Sequence, residues 1–146
     1  VNKKNYLKMV ENNSVSEKRS RNMAAIKSKN TKPELVVRRS LHAMGYRFRL
    51  HKRDLPGKPD IVLPRYKIAL FVHGCFWHRH EGCKYSTIPK TRTEFWIEKF
   101  RGNVERDKLN QAKLISMGWT PLIIWECETK KNVNSLLASY LQVYRD

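Results

Sequence analysis

The feature that most constrains this chain is a twelve-residue segment, 72–83, in which cysteine and histidine are concentrated. It reads Val72-His73-Gly74-Cys75-Phe76-Trp77-His78-Arg79-His80-Glu81-Gly82-Cys83. Sulfur and imidazole donors at this density are typical of a zinc site. The remaining cysteine, Cys127, follows an apolar stretch more than forty positions further on. A tetrahedral site built from all the cysteines would therefore fasten this loop to a distant strand.

The sequence predicts a structural zinc site of three cysteines and one histidine. Its ligands would be Cys75, His80, Cys83 and Cys127. Spacing alone also allows His73 or His78 as the nitrogen ligand. In the alternative interpretation the cysteines are small buried hydrophobes and the histidines contact phosphate. Three cysteines cannot all pair, which argues against a disulfide scaffold and favours a reducing cytoplasm.

The charge of the chain indicates a polyanionic partner. The formal net charge is +17 over 146 residues, with a sequence pI near 10.1. Fifteen of the thirty Lys and Arg residues precede position 54, with only three acidic residues among them. Such an excess favours nucleic acid over the alternative of a scattered basic surface. No apolar run is long enough to span a membrane, and the first residues lack the apolar core of a signal peptide.

Hydrophobic periodicity and turn residues predict an α/β fold. We expect a disordered basic tail at 1–15 and one domain at 16–146. Thr31 to Glu34 form a capping box that begins a helix, and Gly45 ends it. The predicted strands are 46–50, 60–63, 67–73 and 120–125; the other predicted helices are 20–28, 93–101, 104–117 and 133–144. This order predicts a central mixed β-sheet with helices on its faces.

Asp60 is the main candidate for a catalytic metal ligand. It opens an otherwise apolar strand, where an unpaired buried carboxylate would be costly. The hairpin places it beside Val72 and His73, an arrangement that suits Mg²⁺ held by a carboxylate and a backbone carbonyl. His73 and His78 add nitrogen bases. The alternative for Asp60 is a turn residue.

Two further acidic residues have simpler structural explanations. Glu34 is accounted for by the capping box. Asp107 is by default an exposed partner of Arg106 or Lys108.

Adjacent aromatic residues in a polar loop suggest contact with a base stack. Phe76 and Trp77 follow Cys75, and a bound metal would hold them rigidly enough to separate neighbouring base pairs. Met23, in the basic N-terminal region, is either a second inserted residue or a packing residue of a short helix.

Six segments together resemble the very-short-patch-repair (Vsr) mismatch endonucleases. They are Ser20-Arg-Asn-Met-Ala-Ala-Ile, Gly57-Lys-Pro-Asp-Ile-Val, Val72-His-Gly-Cys-Phe-Trp-His, Thr91-Arg-Thr-Glu-Phe-Trp, Asn103-Val-Glu-Arg-Asp and Trp119 through Cys127. They occur in the family's order and extend from about Ser16 to Cys127. The resemblance differs in two places: Val72 stands where the family usually has threonine, and the spacing from His80 to Cys83 is one residue longer.

The resemblance implies a fold, an activity and a set of site residues. The fold would be restriction-endonuclease-like, and the enzyme would nick 5′ to the T of T:G mismatches that arise when 5-methylcytosine deaminates. Mg²⁺ would be bound by Asp60 and the Val72 carbonyl. The remaining roles are catalysis for His73, His78, Glu34 and Asp107, structural zinc for the set Cys75, His80, Cys83 and Cys127, and insertion at the mismatch for Met23, Phe76 and Trp77.

The same resemblance implies the biological setting. We expect a monomer that acts on double-stranded DNA in the cytoplasm, associated with the nucleoid, with mismatch-repair proteins as partners. Two alternatives stay open: a restriction-type or homing-type endonuclease that cuts matched DNA, and a non-catalytic zinc-stabilised DNA-binding module.

Overall fold

The structure, a computed structural model, describes residues 29–144. Contacts divide the chain after Thr31, and the fold below is that of the unit that begins at Lys32. The expected tail at 1–15, the expected helix at 20–28 and Met23 lie outside the described residues.

The described residues form four short strands and four α-helices. The helices are α1 (Lys32–Ala43), α2 (Thr93–Ser116), α3 (Glu126–Thr129) and α4 (Val133–Leu141). The strands are β1 (Arg49–Leu50), β2 (Ile61–Leu63), β3 (Ile68–His73) and β4 (Thr120–Trp125). Turns of 3₁₀-helix cover Pro64–Tyr66 and Gln142–Tyr144. No helix among the described residues is long and apolar enough to cross a membrane.

The strands form one mixed sheet in the order β1-β2-β3-β4. β1 pairs with β2 and β2 with β3 in antiparallel fashion, whereas β3 and β4 are parallel. In the parallel pair, Ile68 lies opposite Thr120 and His73 opposite Trp125. The C-terminal ends of β3 and β4 therefore meet at one edge of the sheet, and the segments that follow them start side by side.

Alternation along β2 and β3 divides the core between the two faces of the sheet. Ile61, Leu63, Ile68 and Leu70 pack in one cluster with residues of α1 and α4. The alternate residues Val62, Ala69 and Phe71 pack in a second cluster with Leu114 of α2. A period of two is what a strand buried on both faces requires. The predicted mixed sheet flanked by helices is confirmed.

The prediction of two helices at 93–101 and 104–117 is wrong. The segment is one continuous helix, α2, that passes through Gly102. A single glycine inside a helix costs only about 1 kcal/mol relative to alanine. Packing of a helix as long as this one against the sheet offsets that cost.

The first predicted strand is shorter than expected, since only Arg49 and Leu50 are paired. The predicted end of the first helix agrees better with the structure. α1 ends at Ala43, and Gly45 has the left-handed backbone (φ 85°) that a residue just after a helix often adopts.

Candidate active site and metal centre

Asp60 lies immediately before β2, against the end of β3. The Val72 backbone N–H donates a hydrogen bond to Asp60 Oδ2 at 2.8 Å. Burial raises the pKa of Asp60 to about 6; the bond from Val72 opposes this rise, and the negative charge of Glu34 adds to it. Binding of a cation would offset the cost of ionising this carboxyl group.

Glu34 and His51 complete a cluster around Asp60. Glu34 is 2% exposed, and its Oε2 accepts a hydrogen bond from Arg38 Nη2 at 3.0 Å and lies 3.2 Å from His51 Nε2. One donor atom each from Glu34, His51 and Asp60 lies within 4.8 Å of the others. Two carboxylate oxygens and one imidazole nitrogen at this separation could hold a divalent cation.

The backbone of His51 explains how its ring reaches this cluster. Its N–H donates to the Asp60 carbonyl at 3.1 Å, which extends the β1–β2 pairing by one bond. Its φ is 48°, in the left-handed region. The chain thus turns at the end of β1, and the imidazole is beside Glu34.

A second cluster joins the end of β3 to α2. His78 Nδ1 lies 2.7 Å from Asp107 Oδ2. An ionised carboxylate only accepts hydrogen bonds, so a proton on Nδ1 makes this contact, and in the neutral form of the ring the free lone pair is then on Nε2. The rings of His73 and His78 are stacked, with centroids 3.8 Å apart. His78 also lies close enough to Asp60 to lower the pKa of that carboxyl.

His73 is the buried member of this cluster, at 6% exposed. Burial, together with the neighbouring His78, lowers the pKa of His73 to about 4, whereas Asp107 acts in the opposite direction. At neutral pH, His73 is therefore an uncharged imidazole. It can donate a hydrogen bond to a phosphate oxygen but does not supply a positive charge.

The cysteines converge with His80 in a third cluster. One donor atom each of Cys75, His80, Cys83 and Cys127 lies within 4.8 Å of the others. His80 Nδ1 is 3.7 Å from Cys75 Sγ and 3.4 Å from Cys127 Sγ. Burial raises the pKa of the Cys75 thiol to about 12. A Cys3His donor set that joins the loop after β3 to α3 and contains the buried sulfur of Cys75 fits a tetrahedral structural cation such as zinc.

Trp125 lies between the second and third clusters. Its ring stacks on His80, with centroids 4.3 Å apart, and meets the edge of His73 at 5.4 Å. The parallel register that places Trp125 opposite His73 makes this contact possible.

Phe76 and Trp77 are half-buried rather than freely exposed. The Phe76 ring packs edge-on against Trp77, Trp96 and Phe100 at centroid distances of 5.1, 5.8 and 5.1 Å. The first turns of α2 thus support the aromatic pair from one side.

The structure brings nine of the thirteen sequence-predicted site residues into these three clusters. Asp60 and Glu34 are in the first, His73, His78 and Asp107 in the second, and the Cys3His set in the third. Of the three histidines considered for the sulfur cluster, His80 is the one found there. Val72 lies beside Asp60, and Met23 falls outside the described residues.

Sequence reasoning missed His51. It follows an alternating strand pattern, and the nearest acidic residue, Asp54, belongs to a turn, so nothing local marked it. Its proximity to Asp60 follows from the antiparallel register of β1 and β2, in which Leu50 is paired with Ile61.

Comparisons with known proteins show that the chain is similar to DNA endonucleases and nicking enzymes. A protein-family model described as "DNA mismatch endonuclease Vsr" matches residues 13–84. The chain is 50% identical over 112 residues to the "Type II nicking enzyme V.XorIIP" of Xanthomonas oryzae pv. oryzae, covering 77% of this chain and 82% of that protein. It is 46% identical over 109 residues to the "DNA mismatch endonuclease Vsr" of Escherichia coli K12, covering 75% and 69% respectively. It is also 48% identical over 113 residues to the "Type II nicking enzyme V.NmeAIP" of Neisseria meningitidis, covering 77% and 80%.

A half-buried carboxylate beside a histidine–aspartate pair, on a mixed sheet flanked by helices, is an arrangement that suits a nuclease. Identities of this size over most of the folded unit identify its family. The chain belongs to the Vsr family of DNA mismatch endonucleases, and it is an enzyme that hydrolyses DNA.

Proposed function

We propose that this enzyme nicks one strand of double-stranded DNA 5′ to the T of a T:G mismatch, in very short patch repair. The observation that carries the proposal is that Asp60, which accepts a hydrogen bond from the Val72 N–H, lies close enough to His78 of the His78–Asp107 pair for that histidine to lower its pKa. Single-strand cutting is supported by relatives named as nicking enzymes, and mismatch recognition by the relative named as a mismatch endonuclease.

His78 is the residue best placed to manage a proton in the reaction. Asp107 holds its Nδ1–H, which leaves Nε2 available to accept a proton from an attacking water. Asp107 also stabilises the imidazolium that results. His73, stacked on the same ring and uncharged, can donate a hydrogen bond to a phosphate oxygen. These roles for His78, His73 and Asp107 belong to the proposal.

The Asp60 site fits a divalent cation, which we propose is Mg²⁺. Asp60 would hold it with the carbonyl of Val72, and Glu34 lies within reach of the same position. When bound, Mg²⁺ supplies charge stabilisation to the phosphate and lowers the pKa of a water molecule. The raised pKa of Asp60 fits this assignment, because a cation offsets the cost of ionising a buried carboxyl.

Zinc at Cys75, His80, Cys83 and Cys127 is the matching structural proposal. It would join the loop after β3 to α3, and so hold Phe76 and Trp77 next to the site. These two aromatic residues, with Met23, are proposed to enter the duplex at the mismatch. A mismatched pair costs less to unstack than a matched pair, and this difference would favour the damaged site.

The remaining expectations follow from the DNA substrate. The region 16–146 is taken as one endonuclease domain that acts as a monomer, since nicking one strand needs one active site. Association with the nucleoid and contact with mismatch-repair proteins stay predictions.

Strand-resolved cleavage of matched and T:G duplexes, with Mg²⁺ and with Mg²⁺ omitted, tests the proposal. We expect one Mg²⁺-dependent nick beside the mismatched T and none in matched DNA. Double-strand cutting of matched DNA would instead indicate a restriction-type enzyme.

Asp60→Ala is the companion variant, with Asp54→Ala as its control, because Asp54 is an exposed carboxylate 73% accessible at the side chain. We expect Asp60→Ala to bind DNA and fail to nick it. Undiminished nicking by Asp60→Ala would exclude the proposed metal site.

A further inference from the structure

The aromatic pair proposed to enter DNA is held by its backbone as well as by its rings. The Phe76 carbonyl accepts a hydrogen bond from Arg79 Nη1 at 3.0 Å. The Trp77 carbonyl accepts one from Asn103 Nδ2, on α2, at 3.1 Å. Both peptide carbonyls of the pair are thus fixed by side chains.

Arg79 makes more contacts than this single bond. Its Nη1 also donates to the Thr87 carbonyl at 3.0 Å, and its Nη2 to the Ser86 carbonyl at 2.9 Å. The guanidinium lies 3.9 Å from the centroid of the Phe100 ring, on α2, and 5.6 Å from that of Phe76. One planar group therefore joins the aromatic pair, the returning part of the loop and the helix.

The chemistry of arginine is needed for this arrangement. The guanidinium has several N–H donors in a rigid plane, which can bond carbonyls at its edge while its face stacks on an aromatic ring. The ammonium of lysine can approach one or two carbonyls but cannot stack in the same way. The left-handed backbone of Arg79 (φ 58°) turns its side chain back over the residues that precede it.

We propose that Arg79 is a positioning residue for the aromatic pair and determines how far the enzyme opens the base stack at a mismatch. The proposal rests on the proposed function. Separating two stacked base pairs costs free energy. A flexible loop would move aside instead, and the base pairs would stay stacked. Arg79 prevents this by holding the Phe76 backbone to segment 86–87 and to the helix.

The test uses Arg79→Lys in the full chain, with Arg65→Lys as the matched control. Arg65 also lies near an aromatic ring, that of Tyr66, but in the turn between β2 and β3. Unstacking is read from the fluorescence of 2-aminopurine placed beside a T:G mismatch, at saturating protein and with Ca²⁺ in place of Mg²⁺. Nicking is measured in single-turnover reactions with Mg²⁺, and Phe76→Ala gives the value expected when the inserted ring is lost.

We expect Arg79→Lys to bind the duplex and to show a smaller increase in 2-aminopurine fluorescence than the wild type, close to that of Phe76→Ala. Its nicking rate should be about tenfold lower, because one charge-assisted hydrogen bond supplies a factor of that size. Wild-type fluorescence in Arg79→Lys would overturn the inference, whether nicking falls or not. Failure of the wild type itself to nick T:G duplexes would instead overturn the proposed function. If circular dichroism shows that Arg79→Lys is unfolded, Arg79→Gln, which keeps a planar donor group, takes its place with the same two criteria.

Discussion

At the scale of single residues, the pairing of His78 with Asp107 is the most consequential contact in the candidate site. A carboxylate 2.7 Å from Nδ1 fixes both the tautomer and the orientation of the ring. Sequence patterns alone favoured an exposed ion pair for Asp107, because its partner is twenty-nine positions away in a loop. Only the resemblance to a known family pointed to a histidine.

We expect Asp107→Asn to lower the single-turnover nicking rate by a factor of about 10² to 10⁴, the range that a positioned general base contributes. The carboxamide keeps the shape but can present either a donor or an acceptor to His78. DNA affinity should stay within a fewfold of wild type. Glu98→Gln, an exposed acidic residue of the same helix, is the control. Equal losses in both variants would argue against a specific role for Asp107.

His51 belongs to the same scale, and its prediction concerns the metal requirement. Its Nε2 approaches Glu34 Oε2 at 3.2 Å next to Asp60. Residues that orient metal ligands typically change metal affinity by about 10- to 100-fold when they are altered. We therefore expect His51→Ala to raise the Mg²⁺ concentration for half-maximal nicking. His42→Ala, an exposed histidine of α1, should leave that concentration unchanged.

At the scale of elements, α2 shows what periodicity can and cannot predict. The pattern identified helix on both sides of Gly102, but a glycine is ambiguous in a sequence because it ends some helices and is tolerated inside others. The space around Gly102 resolves the ambiguity. A methyl group added there would meet only the far end of Arg106, at 4.0 Å.

Gly102→Ala should consequently stabilise the protein, by about 1 kcal/mol, because alanine loses less backbone entropy in a helix. Thermal or urea unfolding measures the change. Gly57→Ala provides the contrast, since φ there is +77° and a methyl group would approach the Phe71 ring to 3.1 Å. That variant should be destabilised. A loss of stability in Gly102→Ala would show that the helix is broken in solution.

The sheet illustrates the other limit of sequence analysis. Three of the four strands and the turn residues between them were predictable from apolar runs bounded by glycine and proline. The pairing of β3 with β4 could not be read from either strand, since it depends on the long connection through α2. That pairing brings Cys127 to Cys75, and the identity of the residues, not their spacing, was what suggested the contact.

At the scale of the whole molecule, half-buried Asp60 and buried His73 make stability depend on pH in opposite directions. Asp60 has a pKa raised from 3.8 to about 6, so its favourable contribution is present below pH 3.8 and is lost as pH rises to 6. His73 has a pKa lowered from 6.5 to about 4, so its contribution is present above pH 6.5 and is lost as pH falls to 4. The two contributions offset each other across nearly the same range.

We expect Asp60→Asn to remove the contribution of Asp60 to the pH dependence of stability and to leave that of His73. Between pH 5 and 6.5, without added Mg²⁺, its free energy of unfolding should rise with pH more steeply than that of the wild type. At pH 7 it should be the more stable protein, by about 2 kcal/mol or less, because water reaches part of the site. Urea unfolding at a series of pH values measures both effects. Parallel curves for the two proteins would contradict the assignment.

The position of Trp125 links loss of the proposed zinc to loss of nicking activity. One indole touches His80 of the sulfur cluster on its face and His73 on its edge. If the proposed zinc were lost, His80 would no longer hold that indole in place, and His73 of the candidate site would lose a packing partner. Neither hydrophobic core includes Trp125, so both would remain packed. A zinc-depleted or cysteine-oxidised molecule would therefore lose its nicking activity under conditions in which it is still folded.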